Sequence, residues 1–399
     1  MSVLTEKRIV LGVTGSIASY KAADLASKLT QLGAEVDVVL TAAAAQFITP
    51  LTFQSVTGRR AYVDADLWGN EGHVLHVRLG KEANLILVAP ATANTLAKLA
   101  QGRADNLLTL AALTGRAPWV LAPAMDGDMY TSSATQANLA QLAERGAHIL
   151  GPQSGHLASG MVGVGRMVEP AAIAGQARYI LTRHGPLAGR RILVTAGGTQ
   201  EAIDPVRAIA NRSSGKQGYA LAQAALDAGA EVTLVSGPTA LAAPTGAELR
   251  PVRSAEEMLA EVLKQAKDAD ALLMAAAVAD FRPKTSAAQK IKRAAGAPQI
   301  ELVANPDILA AVTKTRSRKL KTIIGFAAES QDLLQNAQKK LEAKQVDMIV
   351  ANDISASDAG FEVDTNRVVL VSKQGAEELP LMSKDEVART VIGKLAALI

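Results

Sequence analysis

Two segments of the chain share one order of elements: a buried strand, a glycine-containing turn, an alanine-rich helix and a second buried strand. The first segment covers residues 8–41 and the second covers residues 190–237. In both, a short apolar run comes before the turn, and a glycine ends the predicted helix before the second apolar run. Strands and helices continue to alternate after each segment, which predicts two doubly wound, mostly parallel, Rossmann-like α/β domains.

The border between these domains is predicted in the sequence TRHGPLAG, residues 182–189, because it contains glycine and proline and follows a helical pattern. We therefore expect one domain over residues 1–185 and another over residues 190–399. Hydrophobic residues make up 49% of the chain but aromatic residues only 3%. The core must then consist of alanine, valine, leucine and isoleucine, as in parallel sheets that are covered by helices.

Charge and composition argue against several classes of protein. The formal net charge is only +4, which gives no sign of nucleic-acid binding but suits small anionic substrates such as phosphates. The chain has no cysteine, which excludes disulfides, thiolate metal sites and cysteine nucleophiles. The amino terminus does not match a signal peptide, and no apolar run reaches the ~18 residues of a membrane span. We expect a soluble, cytoplasmic protein with no membrane partner.

The turn GVTGSIA, residues 12–18, follows the first predicted strand and opens a helix. Backbone N–H groups and the helix dipole at such a point can hold a phosphate, and Ser16 can both cap the helix and contact the anion. The turn is not a GxGxxG dinucleotide motif. A tight strand-to-helix turn without any ligand fits this pattern equally well.

Two later strands of the same domain are also followed by small and polar residues. The sequences APATAN, residues 89–94, and APAMD, residues 122–126, place these residues at the same edge of the predicted sheet. His76 lies in HVLHVRLGKEA, just before the next strand. A single histidine in such a place is most often a structural residue, so His76 by itself does not indicate catalysis.

The second domain has a different set of polar residues after its strands. The turn AGGT, residues 196–199, has free amides for a phosphate, and NRSSGKQG, residues 211–218, begins a helix with hydroxyls and a lysine. This is not a Walker motif, because the spacing G-x4-G-K-[ST] is absent. The alternative is a long surface loop, and the density of polar residues argues against it.

Charged residues later in this domain suit a nucleotide. Asp280 comes directly after a buried strand, and Lys290 follows a short loop. Lys340 and Lys344 are four residues apart on a helix predicted over residues 332–344, so they share one face. A triphosphate with Mg²⁺ needs such positive charge and a carboxylate near the metal.

Several of these motifs occur in the order found in flavin-dependent cysteine decarboxylases, which the first domain therefore resembles. The motifs are GVTGSIASYKA, HVRLGKEANLILVAPATANTLAKLAQGRADNLL, APAMDGDMY and ASGMVGVGRM. The second domain carries TAGGTQEAIDPVR, NRSSGKQG, AAAVADFRP, KIK, NPDI and GFAAE. With both sets, residues 9–392 resemble the bifunctional phosphopantothenoylcysteine decarboxylase/phosphopantothenate–cysteine ligases of bacterial coenzyme A biosynthesis.

For the first domain, the resemblance implies a flavodoxin-like decarboxylase domain that binds FMN. The residues around the FMN phosphate would be Gly15, Ser16 and Ile17 at the helix start, with Thr41, Thr92 and Asn94 nearby. The flavin oxidises the substrate thiol, CO₂ is lost, and the product is reduced by the same flavin. His76 matches the essential histidine of the family and suits the role of a base near neutral pH.

Two positions depart from the motifs of the family. Asp126 in PAMDGDMY stands where asparagine is common, and Ser159 in ASGMVGVGR stands where a cysteine protonates the reduced intermediate. An ionised aspartate cannot donate a hydrogen bond to the substrate carboxylate, and two carboxylates ~4 Å apart would repel by about 1–4 kcal/mol. Asp126 is therefore expected to be protonated or to bind another group, and water or His76 to supply the final proton. We still expect decarboxylation, because the other site motifs are intact.

For the second domain, the resemblance implies a ligase that uses CTP. The substrate carboxylate is activated as an acyl-cytidylate, and the amine of cysteine then displaces CMP. Asn211 would stabilise the acyl-cytidylate or its breakdown, and Lys290 would bind CTP and support activation. Asp280 would bind either the nucleotide or Mg²⁺. The other residues of the nucleotide site would be Met274, Ala275, Ala276, Pro306, Asp307, Ile308, Leu309, Phe326, Lys340 and Lys344.

The expected function is the conversion of 4′-phosphopantothenate, cysteine and CTP to 4′-phosphopantetheine, by a ligation and then a decarboxylation. One alternative is a ligase whose flavin domain has lost decarboxylation. Another is a non-catalytic flavoprotein sensor or scaffold, against which the intact SSGK and KIK motifs argue. The resemblance also implies a homo-oligomer, since the family forms flavin sites across contacts between decarboxylase domains and pairs its ligase domains. These motifs do not decide between CTP and ATP.

Overall fold

The computed structural model describes residues 2–69, 72–292, 299–329, 331–353 and 363–399. The chain forms two compact units, Met1–Thr182 and Arg183–Ile399. Each unit is built on its own mainly parallel sheet, and both sheets have strands in the order of a doubly wound fold. Within the described part of the chain, no helix is both long and apolar enough to span a bilayer.

Strands and helices alternate along most of the first unit. Its strands are β1 (Arg8–Val13), β2 (Glu35–Leu40), β3 (Ala61–Val63), β4 (Leu85–Ala91), β5 (Trp119–Pro123), β6 (His148–Ile149), β7 (Gln153–His156) and β8 (Val162–Arg166). Its helices are α1 (Ser19–Gln31), α2 (Pro50–Thr57), α3 (Gly72–Glu82), α4 (Ala93–Gln101), α5 (Leu107–Thr114), α6 (Gly127–Thr131), α7 (Ser133–Glu144) and α8 (Pro170–Thr182). The strand, helix and strand predicted over residues 8–41 are confirmed as β1, α1 and β2.

Six parallel strands form the sheet of the first unit in the order β3-β2-β1-β4-β5-β6. β1 lies inside it, with Ile9 opposite Val36 of β2 and Leu85 of β4. The central strands are apolar and buried because helices cover both faces of the sheet. The order of strands changes direction between β1 and β4, which opens a crevice at their carboxyl ends. β7 and β8 form a separate antiparallel hairpin.

The second unit has the same alternation with short accessory strands. Its strands are β9 (Arg191–Ala196), β10 (Gln200–Ala202), β11 (Ala208–Ala210), β12 (Glu231–Ser236), β13 (Ala247–Pro251), β14 (Ala271–Met274), β15 (Phe281–Pro283), β16 (Leu302–Ala304), β17 (Thr322–Glu329), β18 (Met348–Asp353), β19 (Thr365–Asn366), β20 (Val368–Ser372), β21 (Gly375–Glu378) and β22 (Met382–Ser383). Its helices are α9 (Lys216–Asp227), α10 (Ala255–Gln265), α11 (Ile308–Lys314), α12 (Leu333–Lys344) and α13 (Lys384–Leu398).

Eight strands form the main sheet of the second unit in the order β13-β12-β9-β14-β17-β18-β20-β21. The strands from β13 to β18 are parallel, whereas β20 and β21 add an antiparallel edge. The order changes direction between β9 and β14, where Thr195 lies opposite Met274. The predicted fold class of two doubly wound, mostly parallel α/β sheets is confirmed.

Two layers of helices cover the sheet of the second unit. α10, α11 and α12 share one apolar cluster with residues of the strands, and Met258, Val312 and Leu341 belong to it. α9 packs against β9 and β12 and also against α13. The connection from β9 through α9 to β12 moves towards one edge of the sheet. The connection from β13 through α10 to β14 moves towards the other edge. Because such crossovers are right-handed, α9 lies on the other face of the sheet from α10.

A capping box determines where α13 begins. The Ser383 hydroxyl accepts a hydrogen bond from the Glu386 N–H at 3.2 Å, and the Glu386 carboxylate accepts one from the Ser383 N–H at 2.9 Å. This reciprocal pair satisfies two backbone donors at the start of the helix. It also makes Lys384 the first residue of α13.

Candidate active sites

The turn between β1 and α1 is tied to the loop that follows β4. The Thr14 hydroxyl donates to the Pro90 carbonyl at 2.7 Å and accepts from the Thr92 N–H at 3.1 Å. Thr92 in turn caps α4, where its hydroxyl accepts from the Thr95 N–H at 3.4 Å. Two of the loops that were predicted at one sheet edge therefore lie side by side.

A cavity of about 540 Å³ lies at this edge of the first unit, and we call it the turn cavity. Five of the six predicted FMN contacts line it, namely Gly15, Ser16, Thr41, Thr92 and Asn94. The sixth, Ile17, lines a neighbouring cavity of about 430 Å³, which shares Ser16 with the turn cavity. Hydroxyl groups beside the start of α1 are a donor set that suits a phosphate group.

Replacing Gly15 by alanine is expected to reduce flavin binding. A Cβ at this position would stand 2.4 Å from the Cβ of Ala43, closer than real Cβ atoms approach one another. The turn would have to move, and its N–H groups would lose their place in the turn cavity. We expect the purified variant to bind flavin about tenfold more weakly, a loss of ~1.4 kcal/mol, by flavin absorbance and titration.

Gly69→Ala is the matched control for this change. A Cβ there meets nothing closer than 3.6 Å, so the variant should bind flavin as the wild type does. Unchanged flavin affinity in Gly15→Ala would show that this turn does not hold the flavin phosphate.

The neighbouring cavity brings Asp126 and Ser159 together, and we call it the hairpin cavity because Ser159 lies between β7 and β8. The Ser159 hydroxyl donates to the Asp126 carboxylate at 2.7 Å. Asp126 also begins α6, where it accepts from the Asp128 N–H at 3.1 Å. The hydrogen bond from Ser159 and then that from Asp128 lower the pKa of Asp126. Asp126 is therefore an ionised carboxylate near neutral pH, and it is bound to the Ser159 hydroxyl.

Asp126→Asn is expected to lower the KM for the cysteine conjugate without a large change in kcat. The neutral amide would replace a carboxylate that repels the carboxylate of the substrate, and it could donate a hydrogen bond to that group. We expect a change of roughly tenfold in KM, since repulsion between like charges a few ångströms apart is of that order. Steady-state CO₂ release measures it. Asp128→Asn, an exposed neighbour, is the control, and a higher KM in Asp126→Asn would show that the substrate needs the carboxylate.

His76 lies apart from both cavities of the first unit. It is on α3, which packs against α5, and it lines neither the turn cavity nor the hairpin cavity. Its Nδ1 atom is buried and has no hydrogen-bond partner among the residues that the structure describes. A buried polar atom without a partner costs free energy, so this nitrogen is suited to a partner from outside the described residues. Within one chain, the structure does not bring His76 to Asp126 and Ser159.

The second unit has a cavity of about 530 Å³ over the carboxyl ends of β14, β17 and β18, which we call the switch cavity. It lies beside the point where the strand order changes direction, the usual ligand position in such sheets. All but one of the predicted nucleotide-site residues line it. These are Asn211, Met274, Ala275, Ala276, Asp280, Pro306, Asp307, Ile308, Leu309, Phe326, Lys340 and Lys344.

Hydrogen bonds hold the segment after β14 against the rest of the switch cavity. The Thr195 hydroxyl accepts from the Ala276 N–H at 3.1 Å, and the Thr199 hydroxyl accepts from the Ala279 N–H at 2.9 Å. The side-chain amide of Asn211 donates to the Val278 carbonyl at 2.9 Å. These contacts fix Asn211 on the wall of the cavity.

The two lysines of α12 are paired with carboxylates at the switch cavity. Lys340 contacts Glu329 at 2.6 Å, and Lys344 contacts Asp307. Burial acts to raise the pKa of Asp307, but hydrogen bonds from Lys344 and from the Ala310 N–H outweigh it and lower the pKa. Asp307 is therefore ionised at neutral pH and keeps the Lys344 ammonium at the cavity.

The switch cavity also contains polar residues that we did not single out in the sequence. Asn352, Asn366 and Lys384 line it. The side-chain oxygen of Asn352 is buried and accepts no hydrogen bond from the described residues, so it can accept one from a ligand. None of the three belongs to a motif that the sequence shows.

Lys290 is the predicted nucleotide contact that lies outside the switch cavity. Its neighbour Ile291 donates its N–H to the Asp204 carboxylate at 3.2 Å and accepts from Arg207 at 2.7 Å. The side chain of Asp204 is fully buried and also accepts from the Val206 and Arg207 N–H groups at 2.8 Å. Burial acts to raise the pKa of Asp204, but these hydrogen bonds outweigh it and hold the pKa far below its usual range. Asp204 therefore anchors the segment that carries Lys290.

Asp204→Asn is expected to slow ligation by roughly 10-fold to 10²-fold, because a catalytic group displaced by an ångström can cost that much. In a Lys290→Ala background the same change should cost almost nothing, if Asp204 acts through Lys290. A coupled ligation assay on the four proteins gives this comparison. Equal losses in both backgrounds would show that Asp204 has only a structural role.

The same carboxylate gives a pH dependence that unfolding experiments can follow. A depressed folded-state pKa contributes stability above the unfolded value of about 4, and this contribution is lost as the pH falls towards the folded pKa. The wild type should therefore lose more stability than Asp204→Asn below about pH 4.

The described residues include no group of three or more histidine, aspartate or glutamate side chains that could hold a metal ion. Asp280, the predicted metal contact, is exposed at the wall of the switch cavity. A metal at this place would take most of its ligands from bound phosphates and water, as Mg²⁺ commonly does.

Two family models together match almost the whole chain. The model described as "Flavoprotein" matches residues 2–177, and "DNA/pantothenate metabolism flavoprotein C-terminal domain" matches residues 187–398. The first unit thus matches flavoprotein domains, and the second matches the C-terminal domain of DNA/pantothenate metabolism flavoproteins.

Relatives with both domains are similar over their full length. The "Coenzyme A biosynthesis bifunctional protein CoaBC" of Vibrio vulnificus is 45% identical over 400 residues, which cover 100% of this chain and 99% of the relative. The protein of the same name from Bacillus subtilis is 44% identical over 399 residues, which cover 99% and 98%. A solved C-terminal domain of a CoaBC protein is 42% identical, covers 53% of this chain and 97% of that one, and has a TM-score of 0.46.

The chain therefore belongs to the family of bifunctional coenzyme A biosynthesis proteins, the phosphopantothenoylcysteine decarboxylase/phosphopantothenate–cysteine ligases. The family predicted from the sequence motifs is confirmed. The protein is a multifunctional enzyme with decarboxylase and ligase activity.

Proposed function

We propose that the second unit joins cysteine to 4′-phosphopantothenate with CTP and Mg²⁺, and that the first unit decarboxylates the product to 4′-phosphopantetheine with FMN. The observation that supports this most is the switch cavity, where twelve side chains and backbone segments expected around a nucleotide meet from distant parts of the chain. Because the ligation consumes CTP, we place the enzyme in the cytoplasm.

In the ligation, an oxygen of the substrate carboxylate attacks the α-phosphorus of CTP, and pyrophosphate leaves. The amine of cysteine then attacks the acyl carbon and loses a proton, and CMP leaves. Asn211 is fixed at the cavity wall by Val278, and an amide held in this way can stabilise charge that develops on the acyl oxygen. Lys340 and Lys344 supply positive charge for the phosphates, while Asp280 contacts the nucleotide or its Mg²⁺.

The turn cavity fits the phosphate end of FMN. The start of α1 offers N–H groups, Ser16 and Thr92 add hydroxyls, and Gly15 leaves no room for a side chain. When bound, FMN supplies the oxidation of the thiol-bearing substrate and the later reduction of the product. The protein orients the substrate and moves protons. Ser159, held by Asp126, is placed beside this site in the hairpin cavity, which adjoins the turn cavity.

His76 acts in this proposal as the base of a flavin site in another copy of the chain. Its Nδ1 atom is buried without a partner among the described residues, which is consistent with a partner group on a second copy. Ile17 and Trp68 are 59% and 89% exposed, and such apolar side chains favour contacts between copies. Light scattering is expected to show a homo-oligomer, and a monomer that releases CO₂ at full rate would rule out this role of His76.

One incubation tests the whole function. The purified protein is mixed with FMN, 4′-phosphopantothenate, CTP, Mg²⁺ and cysteine, and the products are followed by mass. We expect 4′-phosphopantetheine, which is one CO₂ lighter than the cysteine conjugate. Accumulation of the conjugate would mean that the first unit has lost its activity, and the absence of both the conjugate and 4′-phosphopantetheine would overturn the ligase proposal.

A further inference from the structure

Three charged residues from distant parts of the sequence meet beside the switch cavity. Lys216 is the first residue of α9, Lys384 is the first residue of α13, and both line the cavity. The Lys216 ammonium contacts the Asp364 carboxylate at 2.6 Å. The Asp364 carbonyl accepts a hydrogen bond from the Lys384 N–H at 2.9 Å. We call these three residues the lysine cluster.

The ammonium groups of the lysine cluster carry like charges, and the Asp364 carboxylate acts on both. Lys384 is only 6% exposed, and its ammonium donates to the Val363 carbonyl. Burial lowers the pKa of Lys384 first, the charge of Lys216 lowers it further, and Asp364 acts in the opposite direction. An anion that reaches both ammonium groups would be stabilised by each of them and would relieve their repulsion.

The lysine cluster lies on the other side of the switch cavity from the lysines of α12. Lys340 and Lys344 belong to the helix layer of α10, α11 and α12, whereas Lys216 and Lys384 belong to the layer of α9 and α13. Both pairs line the same cavity. A ligand with anionic groups at two separated positions could therefore contact cations from both layers.

The start of α9 adds backbone N–H groups to the side of the switch cavity where the lysine cluster lies. Gly215 precedes the helix with a φ of 75°, and the Ser214 hydroxyl accepts from the Lys216 N–H at 3.5 Å. Gly215, Gln217 and Gly218 line the cavity together with the lysine cluster. The N–H groups of a helix start point towards a bound anion, and the helix dipole favours negative charge there.

Asp364 is an exposed counter-anion of Lys216. Its side chain is 86% exposed, so the carboxylate can turn into solvent at little cost. Exposed ion pairs of this kind contribute little to stability. Hydrogen bonds from lysine to phosphate are charge-assisted, as the contact with Asp364 is, and a phosphate has several oxygens that can accept from more than one lysine. A phosphate group in the cavity can therefore take the place of the Asp364 carboxylate on Lys216.

We propose that Lys216 and Lys384 form a phosphate subsite of the ligase, and that a substrate phosphate displaces Asp364 from Lys216 when it binds. This inference rests on the proposed ligation for the identity of the substrates. The phosphate belongs either to the polyphosphate tail of CTP or to the 4′-phosphate of 4′-phosphopantothenate, since both have the same chemistry.

The test compares two substitutions with opposite expected effects. Lys384→Gln should raise the KM of the substrate whose phosphate binds here by about tenfold or more, the usual effect of losing a charge-assisted hydrogen bond. Asp364→Asn should lower the same KM by roughly two- to fivefold, because a competing carboxylate is gone. A role in folding alone would weaken binding in both variants. If Lys384→Gln does not fold, Lys216→Gln tests the same rise in KM at a residue that is partly exposed.

Separate titrations of the two substrates identify the source of the phosphate. If the KM for CTP changes, the subsite belongs to the nucleotide. If the KM for the pantothenate substrate changes instead, the subsite belongs to the phosphate of that acid. Lys339→Gln removes an exposed lysine outside the cavity and should change neither value.

Binding of inorganic pyrophosphate, measured by calorimetry, tests the subsite without turnover. We expect weaker binding in Lys384→Gln and tighter binding in Asp364→Asn. Unchanged binding and unchanged KM values in both Lys384→Gln and Lys216→Gln would overturn the subsite. A wild type that binds pyrophosphate but makes no conjugate would overturn the proposed ligation and leave the subsite standing.

Discussion

The His76→Asn variant is expected to release CO₂ from the cysteine conjugate at a rate about 10²- to 10⁴-fold below that of the wild type, the usual effect of losing a general base. Asparagine keeps much of the shape of the imidazole but cannot take up a proton near neutral pH. His76 has a buried Nδ1 without a partner among the described residues, so the change removes no hydrogen bond of that atom within them. Stopped assays of CO₂ from supplied conjugate give the rate.

Ligation by the same variant is the internal control, because the switch cavity belongs to the other unit. It should proceed at the wild-type rate. A mixture of His76→Asn and Gly15→Ala chains, dissociated and reassembled, should regain part of the activity if His76 serves the flavin site of another copy. Full CO₂ release by His76→Asn alone would remove His76 from the reaction.

The Asn211→Ala variant is expected to form the cysteine conjugate about 10²- to 10³-fold more slowly, as is typical when a donor to a developing charge is lost. The Asn211 amide is fixed by the Val278 carbonyl at 2.9 Å and lines the switch cavity. Its removal leaves that carbonyl with water as an alternative partner, so the fold should survive. Rapid-quench assays with labelled CTP would separate the first half-reaction from the attack of cysteine.

Release of CO₂ from supplied conjugate by the first unit is the control for Asn211→Ala and should not change. Slow release of pyrophosphate would place Asn211 in the activation of the carboxylate. Normal pyrophosphate release with slow conjugate formation would place it in the breakdown of the acyl-cytidylate. Wild-type rates in both steps would contradict any role for Asn211.

Much of the site follows from which residues come directly after the strands. Gly15 and Thr92 follow β1 and β4, and Ala276 follows β14. Parallel strands place such residues at one edge, and the order changes of a doubly wound sheet open the crevices there. The turn cavity and the switch cavity are lined by most of the predicted residues for this reason.

Predictions that depended on contacts between side chains distant in the sequence were less complete. Ser159 is 33 residues from Asp126, and the hydrogen bond between them, which lowers the pKa of Asp126, could not be predicted from the motif. Lys290 looked like a cavity residue, yet its neighbour Ile291 is bound to Asp204 and Lys290 lies outside the switch cavity of its own chain. Spacing along the chain does not encode such contacts, because they depend on the paths of the loops.

The sequence alone determined the two doubly wound sheets, their alanine-, valine- and leucine-rich cores and the turns at the strand ends. These features depend on local periodicity, on glycine positions and on burial of both faces of parallel strands. Only the tertiary structure decided which charges share a cavity. Lys216 and Asp364 are 148 residues apart, and the packing of α13 on α9 places Lys384 beside them. The reason is physical: the energies of these contacts arise from burial and from distances that exist only after the helices have packed.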